Sequence, residues 1–341
     1  MGGLACAVVI GASSYDGSSD APPSRVASHL GSYRGGMTAH RAADGRPILR
    51  LYNHNVLGRR AGWDARRRVL RQIVSGSAPD VVLFSEEIVT DEYDQTADLV
   101  GAGYEVVHSR ARSDEERSGI SVASRWPVLD HRELDLMADG PPVYEFRWAA
   151  LLVGIDAPEP FGRTLVVNHF PEAAAPREAE RERQAVLVAR AVEELVDDDD
   201  RLVVLGGDLD ADPDAASLRF LTGKQSLDGW SVCYRDAWEV AHPGEPGWTL
   251  DPANGIVSAT MPGWPYRRID HLLVRCGSTG MPPVDVVACD RVGVEAVDGV
   301  WASDHAGLMT DLAPYPERRD PERRASGTGS GEPGGTERRV S

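Results

Sequence analysis

Leu205-Gly206-Gly207-Asp208-Leu209-Asp210-Ala211-Asp212-Pro213 reads as an apolar strand that runs into glycines and then presents carboxylates at alternate positions. An extended chain rises ~3.3 Å per residue with successive side chains on opposite faces, so Asp208 and Asp210 can share one site just past the strand end. Other readings compete at this stretch taken alone. Carboxylates at a strand end also cap turns. Asp208, Asp210 and Asp212 fit the opening ligand positions of an EF-hand loop, but Pro213 stands where the turn glycine is needed and Arg219 where the bidentate glutamate should be. A solvated acidic surface is disfavoured by the flanking apolar strand.

The same kind of ending recurs along the chain. Tyr52-Asn53-His54-Asn55-Val56-Leu57-Gly58, Phe84-Ser85-Glu86-Glu87 and Val167-Asn168-His169-Phe170 each close an apolar run with polar groups. Arg268-Ile269-Asp270-His271-Leu272-Leu273-Val274 sets a carboxylate into a strand, where a buried charge requires a partner. Ala302-Ser303-Asp304-His305 leads directly into another apolar run. Each is weak alone, being equally a cap or a surface histidine. Together they place Asn, Glu, His and Asp at strand after strand, and in layered α/β proteins such strand ends are where sites gather.

Hydrophobic patterning supplies the frame for these ends. Strands are expected over 48–52 with Val56, then 80–84, 120–123, 149–155, 164–167, 202–205, 269–274 and 308–312. A helix is expected over 63–74, with Asp64 as candidate N-cap and Leu70, Ile73 and Val74 on one face. A second begins near Pro176 and carries Ala185, Leu187, Val188, Val192 and Leu195; the acidic run 197–200 after it belongs to a solvated loop.

The chain has 341 residues, 42% hydrophobic and 26% charged, and a formal net charge of −17. Its composition is that of an ordinary globular protein. Lys224 is the only lysine. The acidic balance disfavours a protein that tracks long duplexes by counterion release, although a bound metal or a local arginine-lined groove can reverse the sign. Cys6, Cys233, Cys276 and Cys289 form no C-x-x-C pair, so neither a zinc knuckle nor a redox motif is indicated and buried reduced thiols are expected. No apolar run approaches the ~20 residues needed to span a bilayer. A cytoplasmic monomer is expected, with export by a degenerate signal at 4–12 left open. Residues 1–46 and 316–341 lack the apolar surface that offsets ordering entropy; the first segment is expected to be disordered or weakly ordered and the tail disordered, which leaves one folded unit over 47–315.

With Gly119-Ile120-Ser121-Val122-Ala123-Ser124-Arg125-Trp126-Pro127-Val128 added, these blocks resemble, in order and flanks, the endonuclease/exonuclease/phosphatase superfamily, from about Ile48 to Leu312. That group includes deoxyribonucleases, abasic-site endonucleases, inositol polyphosphate phosphatases and sphingomyelinases. The resemblance implies a four-layer α/β/β/α sandwich of two packed mixed sheets flanked by helices. It implies that Glu86 is the principal metal ligand, that Asn55 helps hold metal and phosphate, and that Asp304 is the second-site carboxylate. Asp208 would orient or deprotonate the attacking water, His169 and His305 would contact the phosphate, and Asp270 would fix His305. Asp210 stands where the family has asparagine, exchanging a donor–acceptor side chain for an acceptor-only anion. Ser85 replaces a glutamine and His271 a tyrosine.

Carboxylates ~4 Å apart repel by about 4 kcal/mol at an effective dielectric near 20, so a converged cluster stays ionised only beside a cation. Oxygen ligands point to Mg²⁺, with Mn²⁺ or Ca²⁺ as alternatives. The expected activity is metal-dependent hydrolysis of a phosphate ester: a nucleic acid, a small phosphodiester or a lipid headgroup. The rival expectation is a catalytically weak member of the same fold serving as a binding or scaffold protein, kept open by Asp210.

Overall fold

The computed structural model describes residues 40–137, 146–196 and 201–316, all within one compact unit, Met37–Ser341. The segment up to residue 39, including 4–12, the acidic run 197–200 and the tail from 317 lie outside the described residues. Residues 40–46, expected to be weakly ordered, are held to the domain: Arg41 bridges Pro47, and His40 bonds the Ala78 carbonyl through Nε2 at 2.8 Å.

The strands in chain order are β1 (Leu49–Asn55), β2 (Val81–Ile88), β3 (Glu105–His108), β4 (Ser118–Ser124), β5 (Val128–Asp135), β6 (Ala149–Asp156), β7 (Arg163–Phe170), β8 (Val203–Asp208), β9 (Tyr234–Asp236), β10 (Asp270–Arg275), β11 (Asp285–Val292) and β12 (Gly307–Ala313). The helices are α1 (Trp63–Ser77), α2 (Gln95–Val100), α3 (Glu178–Leu195), α4 (Ala216–Leu221), α5 (Ala237–Ala241) and α6 (Gly255–Thr260). They build two six-stranded sheets, ordered β11-β12-β1-β2-β4-β3 and β5-β6-β7-β8-β10-β9. Each sheet is centred on one parallel pair, β1 with β2 and β7 with β8, and is otherwise antiparallel. With helices flanking the sheets, this is the expected four-layer α/β sandwich.

The pleat decides what lies between the sheets. Leu49, Leu51, Val81, Leu83, Ile120 and Val122 join the main core, while Tyr52, Val82 and Phe84 face the opposite way and pack with Leu70 and Val74 of α1. Two asparagines cross the sheet–sheet interface and satisfy backbone carbonyls of the facing sheet. Asn53 Nδ2 donates to Gly207 O at 3.0 Å, and Asn168 Nδ2 donates to Phe84 O and Ser121 O, each at 2.9 Å. Such bonds fix how the sheets slide, because a buried amide left unpaired costs about 1–3 kcal/mol.

Two local expectations differ from the structure. Helix α1 is preceded by Gly62, its N-cap, in the left-handed region, with Asp64 inside the first turn and not capping. The loop ahead of the helix is wound around the buried Arg66 guanidinium, which donates to the carbonyls of Val56, Leu57, Gly58, Arg60 and Ala302. On α3, Ala185, Val188 and Val192 are buried as expected, but Leu187 is 50% exposed.

Candidate active site

The inward face of the strand ends carries the polar cluster. Asn55 ends β1, Asp208 ends β8 and Asp270 opens β10 directly opposite Asp208 in the antiparallel register. Asn55 Nδ2 donates to Glu86 Oε1 at 2.9 Å and to Asp208 Oδ2 at 2.8 Å, so one amide ties three strand ends. Its Oδ1 accepts from the Leu57 N–H at 2.9 Å, which settles which way the amide points.

Glu86 reaches the cluster through a bulge. The β2–β4 register shifts between Ser85 and Glu87, and Glu86 adopts φ 57. A non-glycine residue there stores about 1 kcal/mol or more, the kind of local strain found where a side chain is re-aimed at a site. Arg60 forms an ion pair with its Oε2. Asp304 and His305 come from the turn into β12. Ser303 Oγ donates to Asn55 O at 2.7 Å and to Asp304 Oδ1 at 3.1 Å, fastening that turn to the end of β1. His305 Nδ1 pairs with Asp270 Oδ2 at 2.8 Å, and its Nε2 lies 3.9 Å from Asp208 Oδ2. Asp210 sits just beyond, at φ 49, with its N–H directed to Asp208 Oδ1 at 3.3 Å.

The structure therefore brings together Asn55, Glu86, Asp208, Asp210, Asp270, Asp304 and His305. It does not bring His169 to them. Because Asn168 points across to the other sheet, the pleat turns His169 to the outer face. There it lies among Arg181 and Ala185 of α3, Leu209, and Ser217 and Leu218 of α4. Its Nδ1 is buried without a partner, and burial alone lowers its pKa to about 3. The strand end acts through its backbone instead: a Cβ on Gly207 would stand 2.0 Å from His169 O, so only glycine fits at φ 142.

The electrostatics are those of crowded, dehydrated acids. Burial, then the charge of Asp270, raises Asp208 to about 7 against the opposing pull of His305 and Asn55. Burial, then Asp208, pushes Asp210 well above the usual carboxylate range. Burial also raises Glu86, against the pull of Arg60. For His305 burial acts downward, but Asp270 and Asp208 outweigh it and hold the imidazole well above its ordinary value. Asp270 Oδ1 is buried with no partner. Glu86, Asp208 and Asp304 offer only oxygen, and the acids among them that resist ionising would be relieved by a cation; this donor set fits a hard divalent ion. Asn55, expected from the family resemblance to help hold it, instead turns its amide N–H groups toward the acids and commits its oxygen to the Leu57 N–H. Asp208, Asp270 and His305 also lie within ligand reach of one another. The His305–Asp270 hydrogen bond already accounts for that group, which holds a proton.

Sequence reading missed the scaffold behind these groups. Thr249 Oγ1 accepts from the N–H groups of Ile269 and Asp270. Asn254 Nδ2 donates to Ser303 O at 2.8 Å. His271 bonds Ala211 O through Nε2 at 2.9 Å and Asp236 through Nδ1 at 3.2 Å, steadying the turn after Asp210. Arg268 pairs with Asp236, and Arg267 with Asp212, so Asp212 clamps the loop and is not a site carboxylate. Arg66 had a visible signal, since it stands at the i+3 position between Trp63 and Leu70 on the buried stripe of α1.

The sequence profile of the Endonuclease/Exonuclease/phosphatase family matches residues 52–305. No curated protein matches the chain. Similar solved structures include D. rerio TDP2 complexed with a single-strand DNA product, 20% identical, covering 78% of this chain and 98% of that one at a TM-score of 0.60. An endonuclease/exonuclease/phosphatase from Bacteroides vulgatus is 19% identical over 79% of this chain and 100% of its own, at a TM-score of 0.61. One from Beutenbergia cavernae is 24% identical over 79% and 72%, at 0.57. At these identities the likeness is one of fold. Among the described residues, no helix is long and apolar enough to cross a membrane.

Proposed function

We propose, from the premise that this chain belongs to the endonuclease/exonuclease/phosphatase family, that it is a divalent-metal-dependent phosphoesterase working by in-line attack of water. The observation that supports this reading best is the convergence of Asn55, Glu86, Asp208, Asp270, Asp304 and His305 from separate strand ends into one buried cluster. Glu86 and Asp304 would hold the cation, Mg²⁺ by the chemistry of the donors and Mn²⁺ or Ca²⁺ as substitutes, with the Asn55 amide steadying Glu86 by its hydrogen bond. A bound dication polarises a phosphoryl oxygen and offsets charge that develops in the transition state.

The chain's own groups supply the proton handling. Asp208, raised to about 7, is poised near neutrality to take a proton from water. His305, kept cationic by Asp270, places a fixed N–H beside the developing negative charge. Asn55 orients the acids on either side of it. The net charge of −17 and the pairing of Arg267 and Arg268 with carboxylates support a compact phosphate ester over a long duplex. Single-stranded DNA, found with the D. rerio neighbour, is the nucleic-acid arm to test.

Metal-stripped protein should not hydrolyse bis-p-nitrophenyl phosphate in EDTA and should recover with Mg²⁺ or Mn²⁺. Full turnover in EDTA would remove the cation from the mechanism. An intact fold that turns over neither this diester, single-stranded DNA, an inositol phosphate nor sphingomyelin would favour the binding-protein reading.

A further inference from the structure

Far along the edge of the second sheet, the β9–β10 ladder ends on a pair of thiols. The antiparallel register runs Leu273 to Asp236, Val274 to Arg235 and Arg275 to Tyr234. One step further sets Cys276 directly opposite Cys233, and the ladder continues there, with Cys276 N donating to Cys233 O at 2.8 Å. Directly opposed residues of an antiparallel pair share a face, and in a hydrogen-bonded pair such as this one the Cα atoms stand about 5.5 Å apart. That spacing falls within the roughly 4.4–6.8 Å that a disulfide spans. Both cysteines are free thiols; Cys276 is buried and Cys233 half-buried. The Cys276 thiol donates to Val274 O at 3.9 Å. Burial, then its contact with Cys233, raises it to about 12. The remaining described cysteine, Cys289, lies on β11 in the other sheet and bonds Thr310.

We infer that Cys233 and Cys276 form a reversible cross-strand disulfide when the protein meets a low-molecular-weight disulfide oxidant. Cys233, the more accessible thiol, attacks the oxidant's S–S bond, giving a mixed disulfide and releasing one thiol. Cys276 then displaces the second small thiol from Cys233 Sγ. Two S–H bonds are lost and one S–S bond is formed, and the two electrons and two protons pass to the oxidant, which leaves as two thiols. The bond would staple edge strand β9 to β10. β10 opens with Asp270, and β9 carries the Asp236 that holds Arg268 and His271.

The full chain, incubated with oxidised glutathione and then blocked with N-ethylmaleimide, tests this by intact mass and by peptide mapping without reductant. The expected product has lost two hydrogens, carries no glutathione, yields a linked Cys233–Cys276 peptide, and reverts with dithiothreitol. Its Tm should exceed that of the reduced protein by about 5 °C. Cys276→Ser should stop at a glutathione adduct on Cys233, and Cys289→Ser should oxidise like wild type. Alkylation of both thiols after oxidation, a lasting adduct on wild-type Cys233, or a linked peptide containing Cys6 or Cys289 would overturn the inference.

Discussion

Asp210 tests how far a carboxylate can replace the asparagine that the family resemblance puts at its position. An ionised aspartate there would face Asp208 as a second anion. Burial and that neighbour instead hold its pKa well above the usual range, which favours the neutral carboxyl, a side chain with both a donor and an acceptor, as an amide has. Asp210→Asn should therefore keep kcat within about threefold of wild type. Asp210→Leu should lose about tenfold or more, and Asp208→Asn ~100-fold, in the same assay. A dead Asp210→Asn would show that the anion is required. At this scale the sequence displayed the acids and His305 at strand ends but concealed the face of His169. Adjacent residues Asn168 and His169 cannot both point inward, and only the bond from Asn168 to Phe84 O and Ser121 O tells which one does.

Among the elements, the central strands were legible because they are buried on both faces and read as apolar runs. The edge strands were not. β5 is half exposed, with the polar sequence Val-Leu-Asp-His-Arg-Glu-Leu-Asp, and β9 is three residues long, too short for any periodicity. Likewise α2, α4, α5 and α6 span only one or two turns each and owe their place to caps such as Asp236 and Asn254 and to tertiary packing. The end of β8 depends on close backbone approach: Gly207→Ala would drive a methyl into His169 O and should cost about 3 kcal/mol or more by urea unfolding, whereas Gly62→Ala, with open space at its positive φ, should cost about 1. Equal costs would refute the close-packed strand end as the reason for glycine.

Across the whole molecule, buried titrating groups pull stability in opposite directions with pH. Asp208, raised from 3.8 to about 7, contributes stability that is full at low pH and lost as pH climbs between those values. His305, also raised, contributes below its ordinary 6.5 and loses that contribution as pH rises through its folded value. His54 and His169, lowered to about 4 and about 3 by burial, act the other way: stability is lost as pH falls from 6.5 toward those values. The acid cluster thus weakens the metal-free protein toward alkaline pH. A cation that needs ionised carboxylates relieves it most there. Saturating Mg²⁺ should raise Tm by ~3 °C or more at pH 8 and by clearly less at pH 5.5; equal shifts would mean that the cation binds elsewhere.

The central claim is that strand ends distant in sequence meet to hold one dication. Titrating metal-stripped protein with Mn²⁺, with free ion followed by electron paramagnetic resonance, measures this directly. Wild type should take up Mn²⁺ at one class of site, and Glu86→Gln and Asp304→Asn should each weaken that uptake about tenfold or more while leaving the fold intact. Uptake unchanged in both variants, or none in wild type, would contradict it.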